Sequence, residues 1–166
     1  MKRKVSRTIF ILLLIITCGI IFSFSHQPAT SSDRISKGTV RQILNVFPST
    51  KNLTDSQKDR LETKLNPIIR KLAHFSIYTL VGIFMMAWIH TYDISLLKKL
   101  IISLGFGFFY AMSDEFHQYF IPGRSAEIRD VMIDSAGVLV GILIVLAMIS
   151  LYKVLEEKMH VKNEKR

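Results

Sequence analysis

Residues 130–152, DVMIDSAGVLVGILIVLAMISLY, decide how this chain folds. From Val131 to Tyr152 they are almost wholly apolar, and crossing a bilayer takes roughly 20 residues of helix. Asp130, Asp134, Gly137 and Gly141 recur at i, i+4, i+7 and i+11, so a helix sets two carboxylates and two glycines on one face. A carboxylate near the middle of a spanning helix costs about 2.5–3.5 kcal/mol, and less towards an end. Asp134 is therefore expected to face protein or a wet cavity rather than lipid. Below it, the glycines let a neighbouring helix approach closely. The stretch predicts acids set above a tight helix–helix seam.

Three more apolar runs have spanning length. Thr8 to Phe24 follows Lys2, Arg3, Lys4 and Arg7, and Ile69 to His90 and Leu97 to roughly Gln118 lie further along. The predicted spans are about 8–24, 69–90, 97–118 and 131–152. The fold class is all-α: an integral membrane four-helix bundle, one domain over residues 1–166. The first run begins like a signal peptide, but it is long for one and lacks a small-x-small cleavage site. Ile16-Thr17-Cys18 is also a poor lipoprotein signal, so an uncleaved helix is expected.

Composition agrees with this reading. Hydrophobic residues make up 49% of the chain and the mean hydropathy is positive, at +0.32, which is unusual for a soluble globular chain and expected of a small membrane protein. The net charge of +9 comes from basic residues in tails and connections beside apolar runs, as in membrane-flanking segments. No nucleic-acid motif accompanies them, and nucleic acid is not an expected partner. A single cysteine, Cys18, excludes disulfide frameworks and multi-cysteine metal sites.

Basic residues divide evenly between the two sides of the membrane, eleven on each. Those of the two tails are dense and adjacent to their spans, whereas the first loop spreads its charge over many residues. Because the first helix usually dominates orientation, both termini are expected in the cytoplasm. The first loop, His26 to Arg70, carries Val40, Ile43, Leu44 and Phe47, then Leu61, Leu65 and Ile68, at helical spacing. Thr54-x-x-Gln57 reads as a capping box, and Asn66-Pro67 as a break before the second span. Short amphipathic helices in an extracytoplasmic loop fit these signals, and so does a partly ordered connection.

Polar residues gather at one end of the bundle. Lys71, His74 and Tyr78 follow i, i+3, i+7 at the start of the second span, with Gly82 a turn deeper. Gly107, Ala111, Asp114, Glu115 and Gln118 share a face of the third, with His117 beside Asp114. Pro122 and Gly123 stop that helix before Arg124, and Arg129, Asp130 and Asp134 open the fourth span. Lys71, His74, Asp114, Glu115, His117, Gln118, Arg124, Asp130 and Asp134 are the candidate ligand-binding residues.

Each member also has a plainer reading. His74 can cap its helix at the headgroups, and Asp114 and Glu115 can be interface charges. Arg124 can merely neutralise Asp130 or Glu127, Gly137 and Gly141 can be packing devices, and Tyr110, Tyr119 and Trp88 fit an aromatic belt. An ion-paired structural network explains the group as readily as catalysis does. His74, His117, Asp114, Glu115 and Asp130 are ligand types that suit zinc. Asp-Glu-x-His is no recognised metal signature, however, so neither a metal nor another cofactor is expected. Ser113 and Ser125 lie nearby without a nucleophile motif or triad. Arg124 and Arg129 can clamp a phosphate or carboxylate, with His74, Glu115 and Asp130 as candidates for proton transfer.

Phe24-Ser25-His26-Gln27-Pro28, Arg70-Lys71-Leu72-Ala73-His74-Phe75, Asp114-Glu115-Phe116-His117-Gln118, Pro122-Gly123-Arg124-Ser125 and Asp130-x3-Asp134-x2-Gly137-x3-Gly141 stand in an order and spacing that resembles the VanZ-like family. The resemblance runs from Ile9 to about Tyr152. It implies a small bacterial plasma-membrane protein, named after one associated with resistance to the glycopeptide teicoplanin. It further implies that Lys71, His74, Glu115, Gln118, Arg124, Asp130, Asp134 and Gly137 occupy the family's characteristic positions. Position 134 is often Asn in the family, so Asp134 argues against a role that needs a neutral amide. The Lys-x2-His-Phe opening of the second span departs from the founding member, so antibiotic resistance does not transfer automatically.

Three functions follow as expectations. The first is a non-enzymatic envelope protein whose outward polar cup binds a cell-wall lipid intermediate or a glycopeptide target, with membrane lipids as general partners. The second is a membrane enzyme acting on a lipid phosphate or headgroup. The third is a proton-coupled carrier that uses Asp134. Whether any reaction is catalysed, and in what oligomeric state, the sequence leaves open.

Overall fold

Backbone in lipid must pair every N–H and C=O within its own segment, and a helix does this. In the computed structural model, which describes residues 2–164 and the side chains of 3–160, the chain forms five helices: α1 (Lys2–Ser25), α2 (Ala29–Val46), α3 (Asp55–His90), α4 (Leu96–Gln118) and α5 (Ile128–Glu164). Among the described residues there is no strand. Helices α1, α3, α4 and α5 are long and apolar enough to cross a membrane, which makes this a multi-pass membrane protein. Of the basic residues that bear on orientation, the side chains of Lys2, Lys162, Lys165 and Arg166 lie outside the described residues.

Two helices are longer than expected. The Thr54–Gln57 capping box forms, but it opens the 36-residue α3 rather than a short helix. Asn66-Pro67 does not end α3, which continues as helix past Pro67. Proline at position 67 denies the carbonyl of Thr63 its helical donor. Both residues are exposed, so that carbonyl has polar surroundings available and the helix survives. Helix α5 likewise continues past Tyr152, and Lys153 to His160 are all exposed.

The first connection holds one 18-residue helix, α2, laid against the early turns of α3. Its Val40 and Leu44 are buried, whereas Ile43 and Phe47 are exposed. Polar ties fix the pair. Arg41 reaches Asp55 at 2.8 Å and Asp59 at 2.6 Å, and Asp33 accepts from Asn66 at 3.2 Å and Arg70 at 3.1 Å.

Helix α3 is central, and its largest contact is with α5. The glycines create that contact. A Cβ on Gly137 would stand 2.4 Å from the carbonyl oxygen of Phe75, and one on Gly141 would stand 2.1 Å from that of Thr79. Tyr78, Val81, Met85 and Met86 of α3 bury themselves against Val138 and Ile142 of α5. Phe109, Leu143 and Met148 point outward, as lipid-facing residues should.

Arginines pin α1 at both ends. Arg7 donates to the Thr91 hydroxyl at 3.0 Å and the Thr91 carbonyl at 2.8 Å, and its guanidinium lies 4.0 Å above the Tyr92 ring. Arg124 donates to the carbonyls of Phe24 and Gln27, each at 3.0 Å. Tyr110 is no belt residue: its hydroxyl points inward and donates to the Cys18 carbonyl at 2.7 Å.

Candidate functional site

The seam between α3 and α5 aligns His74 with Asp134, and α4 brings Asp114 beside them. One donor atom from each of these three residues lies within 4.8 Å of the others. His74 Nδ1 and Asp134 Oδ2 are 3.8 Å apart, beyond hydrogen-bond length. Asp134 is fully buried at 0% exposure, yet neither carboxylate oxygen has a hydrogen-bond partner. One turn deeper, the hydroxyl of Tyr78 is equally buried and equally unpartnered. Buried polar atoms without partners are uncommon because each forfeits its hydration.

Around this floor the polar groups are well tied. Gln118 donates to Asp114 Oδ2 at 3.0 Å and approaches the Ser25 hydroxyl at 3.4 Å, while its own carbonyl accepts from Arg124 at 2.9 Å. Lys71 pairs with Asp130 and lies 3.9 Å from Glu127. Glu115 accepts from the backbone N–H of Glu127 at 2.8 Å and so fixes the chain just before α5. Burial, then Arg70, hold the Arg124 guanidinium below its ordinary value against the pull of Asp114 and Glu115. Arginine nevertheless keeps its charge.

Two cavities meet here. A polar cup of about 360 Å³ is lined by Arg70, Lys71, His74, Gln118, Glu127, Arg129, Asp130 and Asp134, with Pro67 and Ile133. A second cavity of about 290 Å³ runs under α2, with Ile21, Phe24, Ile35, Ile69, Ala73 and Ile77 supplying an apolar wall. Both are lined by Arg70 and His74.

Of the nine residues singled out from sequence, Lys71, His74, Gln118, Asp130 and Asp134 line the cup, and Asp114 lies against its floor. Glu115 and Arg124 are engaged in holding loops, and Arg124 pairs with neither Asp130 nor Glu127. His117 turns away from Asp114. Its ring packs on Phe22 and His26, with His26 Nδ1 and His117 Nε2 3.3 Å apart. Arg70, Ser25 and Glu127 also take part, although in the sequence they stood out only as motif neighbours or as a counter-charge and not as candidates. Arg70 adjoins Lys71 and had the charge to attract notice, whereas the roles of Ser25 and Glu127 depend on loop closure that no spacing reveals.

Comparison with known proteins gives one result. A family model described as VanZ/LLP1 matches residues 10–150. No curated protein and no solved structure matches the chain.

Proposed function

The chain belongs to the VanZ/LLP1 family, and from that premise we propose that its polar cup binds the anionic headgroup of an envelope lipid. The occupant we favour is a cell-wall lipid intermediate, and its sequestration would alter sensitivity to teicoplanin-like glycopeptides. The observation that carries this reading is the junction of a polar cup, which offers Arg129, with an apolar cavity at Arg70 and His74. A lipid carries both chemistries at once, a charged head and a hydrocarbon tail. Arg129 lines the cup with no ion-pair partner among the described residues, which leaves it available to a phosphate. We further propose that the cup opens outside a bacterial plasma membrane, with both termini in the cytoplasm.

Mass spectrometry of the protein extracted in mild detergent tests this directly. A phosphate-bearing lipid should co-purify, and Arg129→Ala should weaken its retention about fivefold, as about 1 kcal/mol per surface cation implies. Retention of no such lipid, or equal retention by the variant, would overturn the proposal. Cells lacking the protein should then differ from the parent in the teicoplanin concentration that arrests growth.

A catalytic reading has one observation in its favour. His74 and Asp134 stand 3.8 Å apart at the floor of the cup, where a headgroup phosphate would arrive. Turnover of a lipid phosphate by purified protein, lost in His74→Gln or Asp134→Asn variants that still insert, would establish it.

A further inference from the structure

We infer that His74, Asp114 and Asp134 hold a divalent transition-metal cation, of the zinc or manganese type, at the floor of the polar cup. The inference goes beyond lipid binding and does not depend on it.

Geometry comes first. The three donor atoms come from three different helices and gather within 4.8 Å. Bonds from zinc to nitrogen and oxygen measure about 2.0–2.2 Å, which places ligand atoms roughly 3–4 Å from one another. The 3.8 Å between His74 Nδ1 and Asp134 Oδ2 falls in that interval, although it is too long for a hydrogen bond between them. A shared cation accounts for a spacing that direct pairing does not.

The second observation is the idle carboxylate. Asp134 has 0% exposure and no hydrogen bond to either oxygen, yet it points into the cluster. A bound cation would satisfy it and offset the cost of its burial.

Charge balance leads to the same place. Asp114 and Asp134 are both buried. The neighbouring cations are committed elsewhere: Lys71 to Asp130, Arg70 to Asp33, and Arg124 to Gln118 and two backbone carbonyls. A dication between two carboxylates and a neutral imidazole leaves the site without net charge, the condition that a low-dielectric setting favours.

The donor set narrows the identity. One imidazole with two carboxylates suits zinc or manganese, and the absence of thiolate disfavours copper(I). Calcium prefers six to eight oxygens and is a poorer match. Supporting contacts are present as well. Gln118 donates to Asp114 and is itself held by Arg124, which orients one ligand carboxylate.

The full chain, purified in mild detergent and stripped with a chelator, should be titrated with Zn2+ or Mn2+ alone while heat of binding and thermal unfolding are followed. One saturable ion per chain and a raised Tm are expected. Asp134→Asn and Asp114→Asn should each weaken affinity by at least about tenfold, the size of loss seen for even supporting contacts. Asp93→Asn, at the opposite end of the bundle, should bind as the parent does and controls for loose association with surface acids. Bound Mn2+ should also show nitrogen hyperfine coupling in its paramagnetic resonance spectrum, which His74→Gln removes. That readout needs only the parent protein if an aspartate variant fails to insert. Binding no stronger than a surface acid provides, undiminished affinity in Asp134→Asn, or a Mn2+ signal without nitrogen coupling would each overturn the assignment.

Discussion

Glu115, a candidate for proton transfer by sequence, has a structural task in place. Its carboxylate accepts the Glu127 N–H at 2.8 Å and positions the entry to α5. Glu115→Gln keeps an acceptor oxygen and should leave stability almost unchanged. Glu115→Ala orphans a part-buried N–H and should cost about 1–3 kcal/mol, read as a lower unfolding midpoint in detergent. Equal effects from both variants would show that charge, not acceptance, is what matters. Arg124 is similar, since it caps two carbonyls of the α1 end, so an alanine there tests loop integrity before it tests ligand binding. The identity of the polar residues was legible in the sequence. Their division between cup and scaffold was not, because side-chain partners across loops leave no periodic trace.

Helices were read most securely where a face had to be buried. The Gly137 and Gly141 spacing foretold a close approach, and the carbonyls of Phe75 and Thr79 now identify α3 as the neighbour. Gly141→Ala would press a methyl carbon to 2.1 Å from the Thr79 oxygen and force the helices apart. A loss of at least about 1–3 kcal/mol is expected, measurable as a shift in thermal unfolding of the detergent-solubilised protein. Gly105→Ala, whose added carbon meets nothing within 4 Å, should be neutral or slightly stabilising and serves as the control. Element boundaries were read less well. Proline at position 67 signalled a stop, but the exposure of Thr63 leaves its carbonyl open to other donors and lessens the penalty to one the helix tolerates.

At the scale of the whole molecule, the sequence specified a multi-pass bundle with its ionisable groups at one end, and the four spanning helices match that expectation. Which side of the membrane that end occupies is settled by labelling. Ser125→Cys in a Cys18→Ala background should react with an impermeant thiol reagent in intact cells, because Ser125 is exposed in the loop beside the cup. Protection in intact cells and reaction only after lysis would reverse the proposed topology. The cup, built where α3, α4 and α5 converge, was foreseeable from the polar spacing, whereas the apolar cavity was beyond sequence reasoning, since it arises where α2 folds back over α3.

Helix α5 has a practical use. At 37 residues it is about 55 Å long against a hydrocarbon thickness of about 30 Å, and its exposed last turns leave the bundle as an uninterrupted rod. A 19.0 kDa chain offers little contrast for electron cryomicroscopy. A rigid marker protein grafted in helical register beyond Tyr152 would give particles a feature by which to be aligned, and a means of imaging the cup with its occupant in place.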